Sequence, residues 1–166
     1  GDLNYTAFPV QVKTAKDTPL VNVVSASANK DYNVAADANG DVYIWGSVNG
    51  LSYTYAQKMA GFEGKNIIAV SAGYTHFIAL SKDGYVYSWG ANSYGQLGNG
   101  QSDNGNMNNP EFVYLDSDKT QLLENVISVS AGDKHSVALA IEKNDASDNK
   151  GVVYTWGSNE FGQIGR

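Results

Sequence analysis

The sequence predicts an all-β fold: a β-propeller segment of three blades' worth, each blade made of four short antiparallel strands. Three observations carry this. First, ordered blocks recur. Val70-Ser71-Ala72-Gly73-Tyr74-Thr75-His76, Gly84-Tyr85-Val86-Tyr87-Ser88-Trp89-Gly90 and Tyr94-Gly95-Gln96-Leu97-Gly98 return in the same order at 129–135, 151–157 and 161–165. A decayed copy precedes both, in Val24-Ser25-Ala26-Ser27 and Gly40-Asp41-Val42-Tyr43-Ile44-Trp45-Gly46. Second, the copies are filled by short β-branched and aromatic runs bounded by turn residues. Third, no stretch shows a helical period. A unit repeated in this way buries its apolar face only against its own copies, and a repeated four-stranded unit is a propeller blade. The blades are expected at about 21–60, 66–115 and 125–165, with residues 1–13 supplying an outer strand to a neighbouring or symmetry-related blade.

Along the chain, the first candidate strand is Pro9-Val10-Gln11-Val12, with Phe8 before it; Pro at a strand start suits an outer edge, where no ladder donor is needed. Ile67-Ile68-Ala69-Val70-Ser71 and Val126-Ile127-Ser128-Val129-Ser130 read as first strands of their blades. Residues 76–80 and 135–140 read as second strands. The third strands, 85–89 and 152–156, follow turns, and Asp83-Gly84 and Asn39-Gly40 supply the positive φ that a tight hairpin demands. Fourth strands are expected at 110–115 and, in the first blade, at Tyr55-Ala56-Gln57-Lys58-Met59. The uneven spacing of Trp45, Trp89 and Trp156 places extra length in two polar segments, 99–109 and 142–150, which read as loops protruding from the blade edges. The three Trp head the same strand of successive blades and are expected to pack between blades.

Composition excludes several function classes. Seventeen acidic against eleven basic side chains leave a net charge of −6 with no Lys/Arg cluster, an electrostatic balance that repels nucleic acid. No apolar run approaches the eighteen residues of a spanning helix, and no basic-apolar leader stands at the start, so no membrane partner is expected. The absence of Cys removes disulfides, thiolate zinc sites and cysteine nucleophiles. The Asn, Ser, Gly, Asp and Tyr vocabulary is that of secreted β-proteins and favours an extracellular setting, and Asn4-Tyr5-Thr6 fits the glycosylation pattern.

Nothing in the motifs supplies catalysis, a cofactor or a metal site. His76 and His135 are the only histidines, each five residues after a repeated Ser. A nucleophile needs its base in hydrogen-bond reach and an orienting third group, and a catalytic site is not duplicated in register with a structural repeat; both read as structural, bonding backbone between strands. Asp37-x-Asn39-x-Asp41 has the spacing of a calcium loop, but it lacks the following Gly and has Val48 where the loop's last Glu belongs, so it reads as a hairpin. Gly95-Gln96-Leu97-Gly98 has no Lys-Ser/Thr after it and reads as a turn. Eleven tyrosines remain, the rigid amphipathic groups that dominate protein-binding hot spots. Tyr53, Tyr55, Tyr94 and Tyr114 fall outside the repeated strand blocks or near their ends and are the partner-binding candidates.

The Ser-Ala-Gly-x-x-His, Tyr-x-Trp-Gly and Gly-Gln-Leu-Gly blocks resemble the regulator of chromosome condensation repeat family, and the second and third copies match all three. The first copy departs from it: Ser27 and Lys30 stand where Gly73 and His76 stand, and Asn49-Gly50-Leu51 is a remnant of the turn. The resemblance implies a propeller, usually of seven blades, and mostly protein-binding roles: nucleotide exchange on a small GTPase, ubiquitin-ligase modules, an ultraviolet photoreceptor, a secreted β-lactamase inhibitor. The photoreceptor's Trp-Arg pairs beside the repeated His are replaced here by Tyr74 and Asp133. The function expected is therefore a non-enzymatic protein-interaction module. Exchange-factor-like regulator, secreted inhibitor-like binder and purely structural array segment are the alternatives.

An unclosed propeller exposes strand edges and an apolar blade face at each end. Gly1-Asp2-Leu3-Asn4 resembles the residues after a Gly-Gln-Leu-Gly turn, and the third copy stops at Gly165-Arg166 before a fourth strand. Phe8, Val10 and Val12 of one chain are thus expected to meet Val152, Tyr154 and Trp156 of another. The chain would then be half of an oligomeric ring, a homodimer closed head to tail, or else part of a longer propeller.

Overall fold

The computed structural model describes residues 4–48, 50–103, 106–143 and 149–166. A small hairpin of β1 (Lys13–Ala15) and β2 (Thr18–Pro19) precedes three sheets. The first blade is β3 (Val23–Ala28), β4 (Tyr32–Asp37), β5 (Val42–Val48) and β6 (Leu51–Lys58), hydrogen-bonded in chain order. The second is β7 (Ile67–Ala72), β8 (His76–Ser81), β9 (Val86–Ala91) and β10 (Asn106–Phe112), and the third is β11 (Val126–Ala131), β12 (His135–Lys143) and β13 (Asn149–Gly157). All neighbours are antiparallel. The expected four-stranded blades thus form twice, with a three-stranded sheet as the third among the described residues.

The second blade is buried on both faces because each face meets another blade. Along β8, Phe77 and Ala79 join a cluster with Tyr32, Val34, Ile44 and Trp89 between the first two blades. Ile78 and Leu80 point the other way, into a cluster with Val126, Ala138 and Ala140 between the second and third. Every residue of β8 is buried, which is why it reads in sequence as an apolar run and not as an alternation. Trp89 and Trp156 pack in these two inter-blade clusters as expected, whereas Trp45 sits half-buried on the outer face of the first blade. Gly40 and Gly84 hold the φ values of +81° and +82° that their hairpins require.

The ladders correct the alignment of the first copy. Tyr32↔Gly46, His76↔Gly90 and His135↔Gly157 are equivalent rungs, so Tyr32, not Lys30, stands in the place of the histidines. Asn29, not Ser27, matches Gly73 and Gly132. The run Ser25-Ala26-Ser27-Ala28 offers two registers with the same alternation, and only the ladder chooses between them.

Three further expectations change. Pro9 to Val12 form no strand; the Val12 carbonyl instead accepts the Leu20 N–H at 2.9 Å beside the β1–β2 hairpin, and Phe8 and Val10 are exposed. The segment 99–109 is not loop throughout: β10 begins at Asn106 and regains its register past a bulge at Glu111. Likewise β12 and β13 stay paired out to Lys143↔Asn149, so the described part of 142–150 lengthens the ladder. Gly1-Asp2-Leu3, from the stretch expected to follow a turn, and Asn49 of the turn remnant lie outside the described residues.

Candidate protein-interaction face

Strand alternation puts the turns after the first strands and those after the third strands at the same end of every sheet. On this face the blades lock together through a repeated device. Ser27 Oγ accepts the Ala72 N–H of the next blade at 3.1 Å, and Ser71 Oγ accepts the Ala131 N–H at 2.9 Å. Ser130 occupies the same rung of the third blade, where no described strand follows. Removing one acceptor from a partly buried pair leaves an N–H without its partner. Ser71→Ala should therefore lower stability by about 1 kcal/mol in urea unfolding, while Ser130→Ala in an isolated monomer should be neutral. Equal losses from both would mean the lock adds nothing to blade packing.

The histidine reading is corrected in detail. His76 bonds a side chain of the next blade, its Nε2 lying 2.9 Å from Ser136 Oγ, and that hydroxyl in turn donates to the Gln96 carbonyl at 2.9 Å. With its own proton committed to the carbonyl, Ser136 must accept from His76, which fixes the Nε2–H tautomer. Burial, helped by the nearby His135, pushes the His76 imidazole down to about 4. A Ser–His contact thus exists, but it is the reverse of a nucleophile and its base: Ser136 is fully buried, and the imidazole donates to it.

Asp37 is likewise consumed by structure. Its carboxylate accepts the N–H groups of Asn39 and Asp41, and the Tyr43 hydroxyl at 3.3 Å. Asp41 pairs with Lys58 at 2.6 Å. This is a capped hairpin, and among the described residues no group of three or more His, Asp or Glu converges as a metal site.

The four candidate tyrosines do not form one patch. Tyr94 stands on the turn after β9, 46% exposed, with the Lys134 ammonium 4.6 Å from its ring centroid and 3.3 Å from its hydroxyl. That hydrogen bond holds Lys134 above its ordinary range. Tyr53 lies on β6 and lines a cleft of about 670 Å³ between the first and second blades on the same face. Tyr55, on the same strand, borders a groove with Trp45, Val10 and Val12, on the outer face of the first blade. Tyr114 follows β10, bridged to Leu122, with Lys119 over its ring at 5.9 Å. Of the assembly candidates, Val152, Tyr154 and Trp156 are half-buried on β13, an edge of its sheet; the Tyr154 hydroxyl donates to Glu142, and Trp156 Nε1 donates to the Gln96 carbonyl at 2.8 Å. Tyr74, also 46% exposed and lining the cleft, is the residue the sequence reading passed over as a contact group. Its place after a repeated Gly on an exposed turn was the available signal.

This geometry of inter-blade Ser, Gly–His and Trp–Gly positions matches a known repeat. The family model for the regulator of chromosome condensation (RCC1) repeat matches residues 83–139, and a second model of the same repeat matches 67–96 and 126–163. The chain belongs to the regulator of chromosome condensation repeat family. Both matches begin after the first blade, the one in which Asn29 and Tyr32 replace the Gly–His pair.

Among its relatives, the human E3 ubiquitin-protein ligase HERC2 is 28% identical over 167 residues, covering 96% of this chain and 3% of that protein. The ultraviolet-B receptor UVR8 of Arabidopsis thaliana is 29% identical over 175 residues, covering 99% of this chain and 35% of the receptor. The solved structure of Prp20p from Saccharomyces cerevisiae superposes with a TM-score of 0.65 at 22% identity, over 94% of this chain and 34% of that one. Human WBSCR16 gives 0.62 at 22% identity, over 81% and 33%. These structures show the propeller fold. The chain spans at most about a third of the length of each of these relatives.

Proposed function

We propose that this chain is a non-enzymatic protein-interaction module, a set of propeller blades that presents its turns as a recognition face and is completed by further blades. One observation carries the reading. The buried polar side chains with reactive chemistry, His76, Ser136 and Asp37, are tied into hydrogen bonds that hold blades and hairpins together, while Tyr74, Tyr94 and Lys134 stand outward on one face. Exposed tyrosine backed by a cation is the kind of group that anchors protein partners. Relatives support a protein as the partner: the yeast repeat protein Prp20 is described bound to Kap60 and binding Gsp1p and histones.

Completion is the second half of the proposal. The free rung at Ser130 and Trp45 on the outer face are the groups that a following and a preceding blade would engage, as the Ala131 N–H engages Ser71 and the Gln96 carbonyl engages Trp156 here. Those blades come from a second copy, closing head to tail through residues 1–13 and β13, or from a longer propeller. Light scattering at micromolar concentration is expected to give twice the 17.8 kDa chain mass, falling to monomer when residues 1–13 are deleted. A stable folded monomer would remove self-completion. The binding face is tested separately: Tyr94→Ala should abolish capture of a cross-linked, identified partner, and unchanged capture would move the site elsewhere.

A further inference from the structure

The interface between the second and third blades is a pattern whose parts stand unused at both ends of the chain. The turn after β9 lies over Trp156: its Gln96 carbonyl accepts the indole N–H at 2.8 Å and the Ser136 hydroxyl at 2.9 Å, and a Cβ on Gly98 would come within 2.7 Å of Nε1. The turn after β13 is built in the same way. Asn159 and Gln163 hold it as Asn92 and Gln96 hold its counterpart, and the Thr155 hydroxyl donates to the Ile164 carbonyl at 2.7 Å as that of Ser88 does to Leu97 at 2.6 Å. Yet the Gln163 carbonyl accepts nothing among the described residues, a Cβ on Gly165 would meet nothing within 4 Å, and Phe161 is 86% exposed.

At the other end the matching groups are free. Asn33↔Trp45 is the rung of the first blade that Ser136↔Trp156 is of the third. Both side chains line the outer face of the first blade, and neither makes a hydrogen bond among the described residues. The backbone repeats the pattern. The Val42 and Val86 carbonyls, on third strands, accept the N–H groups of Met59 and Val113, which follow the fourth strands. The Val113 carbonyl then accepts the Leu123 N–H at 3.0 Å on the way to β11, as the Val12 carbonyl accepts that of Leu20 at 2.9 Å on the way to β3. Residues 10–12 thus stand where a fourth strand ends, with no third strand beside them and the Val12 N–H unpaired among the described residues. Conversely, β13 is a third strand whose outer edge no described strand covers.

We propose that the third blade docks onto the first blade of a second copy of this chain, in the register of the interface between the second and third blades. The 159–165 turn lies over Trp45 of the second copy, its Gln163 carbonyl accepting that indole N–H, and residues 10–12 of the second copy add to β13 with the Val12 N–H on the Val153 carbonyl. Asn33 of the second copy makes both bonds that Ser136 makes, its amide N–H to the Gln163 carbonyl and its amide oxygen to Nε2 of His135. Ala28 of the second copy, in the place of Ala131, brings its N–H to Ser130. A second copy is the occupant because each group left unused at one end has its complement unused at the other in the same register, and because the contact continues an interface the chain already makes. The inference rests on the self-completion half of the interaction reading and adds to it the contacts and their register.

The chain has no Cys, so an engineered pair reports the register. Phe112↔Tyr87 is a rung of the second blade, and the same rung between two copies sets Gln11 opposite Tyr154. Beside the hydrogen-bonded Val113 and Val86 it is a non-hydrogen-bonded pair, with Cα atoms about 4.5 Å apart and within disulfide reach. The full chain carrying Gln11→Cys and Tyr154→Cys is expected to link between chains under oxidised glutathione, with the 11–154 disulfide identified by peptide mass spectrometry. Gln11→Cys with Val153→Cys turns the second thiol to the other face and should link roughly tenfold less. Trp45→Phe leaves β13 untouched, keeps a ring and removes the donor; it should weaken self-association roughly fivefold to tenfold in a light-scattering concentration series. No 11–154 disulfide in the folded chain, equal linkage by the shifted pair, or association unmoved by Trp45→Phe overturns the proposal. If the natural chain is still a dimer in that case, self-completion stands and uses another surface; a folded monomer rejects both.

Discussion

Gly73→Val is expected to destabilise the chain by about 3 kcal/mol, at the upper end of what an overpacked interior position costs. The glycine is buried between the second and third blades, and its φ is not of the left-handed kind; what it needs is room. A Cβ there would lie 2.3 Å from His76 Cε1, 2.5 Å from His76 Nδ1 and 2.6 Å from the Gly132 carbonyl oxygen. The ring is held by Ser136, and the oxygen is backbone, so neither can yield cheaply. The first blade shows the alternative solution: Asn29 carries a Cβ at this position because Tyr32 replaces the histidine, and both side chains donate to the Gly73 carbonyl. The double variant Gly73→Asn with His76→Tyr should therefore cost less than the sum of its single changes in urea unfolding, a favourable coupling between touching sites. Strict additivity would show that the glycine recurs for some other reason.

That exchange of a pair shows where sequence reading succeeds and where it stops. The blades were legible because β-branched runs, Asp-Gly and Asn-Gly hairpins and the Trp-Gly blocks each act within a few residues. The register of the first blade was not, because Ser25-Ala26-Ser27-Ala28 satisfies the alternation in two ways and the deciding contact, Ser27 to Ala72, is remote in sequence. The outer strand at Pro9 to Val12 was misread for a related reason: alternation describes a pleated surface but does not supply a partner strand. One local signal was simply passed over. Asn22, Asn66 and Asn125, with φ of 57°, 50° and 56°, immediately precede β3, β7 and β11. Each carbonyl accepts an N–H from the end of its own hairpin, at Ala38, Lys82 and Ile141. Asparagine tolerates that backbone conformation better than any other residue with a Cβ, so an Asn before a β-branched pair marks the blade start.

The site was less legible than the fold. Its tyrosines are visible in sequence, yet their grouping depends on the face to which the turns rise. Tyr94 gains meaning from Lys134 of the next blade, and Tyr53 from the cleft it lines between the first two blades.

Acidification should destabilise the chain well before its carboxylates titrate. His76 is neutral in the folded protein with its imidazole pushed down to about 4, by burial first and by His135 second, whereas its ordinary value is 6.5. Above that ordinary value the group is neutral in both states and contributes nothing to the pH dependence. Below it the unfolded chain takes up a proton that the folded chain refuses, so stability falls as pH falls, by about 1.4 kcal/mol per pH unit. The loss levels off once the folded protein also protonates near pH 4, by then on the order of 3 kcal/mol. Protonation there also puts a charge into the inter-blade contact and supplies Nδ1 with a hydrogen that has no acceptor. Asp116, held below its ordinary range by the Thr120 hydroxyl, acts in the same direction but only at lower pH. Urea unfolding at half-unit steps from pH 7.5 to pH 4 should therefore show the steep segment between 6.5 and 4 in the natural chain, and a flat one in His76→Gln, whose amide can still donate to Ser136 and cannot titrate. The same slope in both proteins would assign the acid sensitivity to another group and leave the buried imidazole without a role in it.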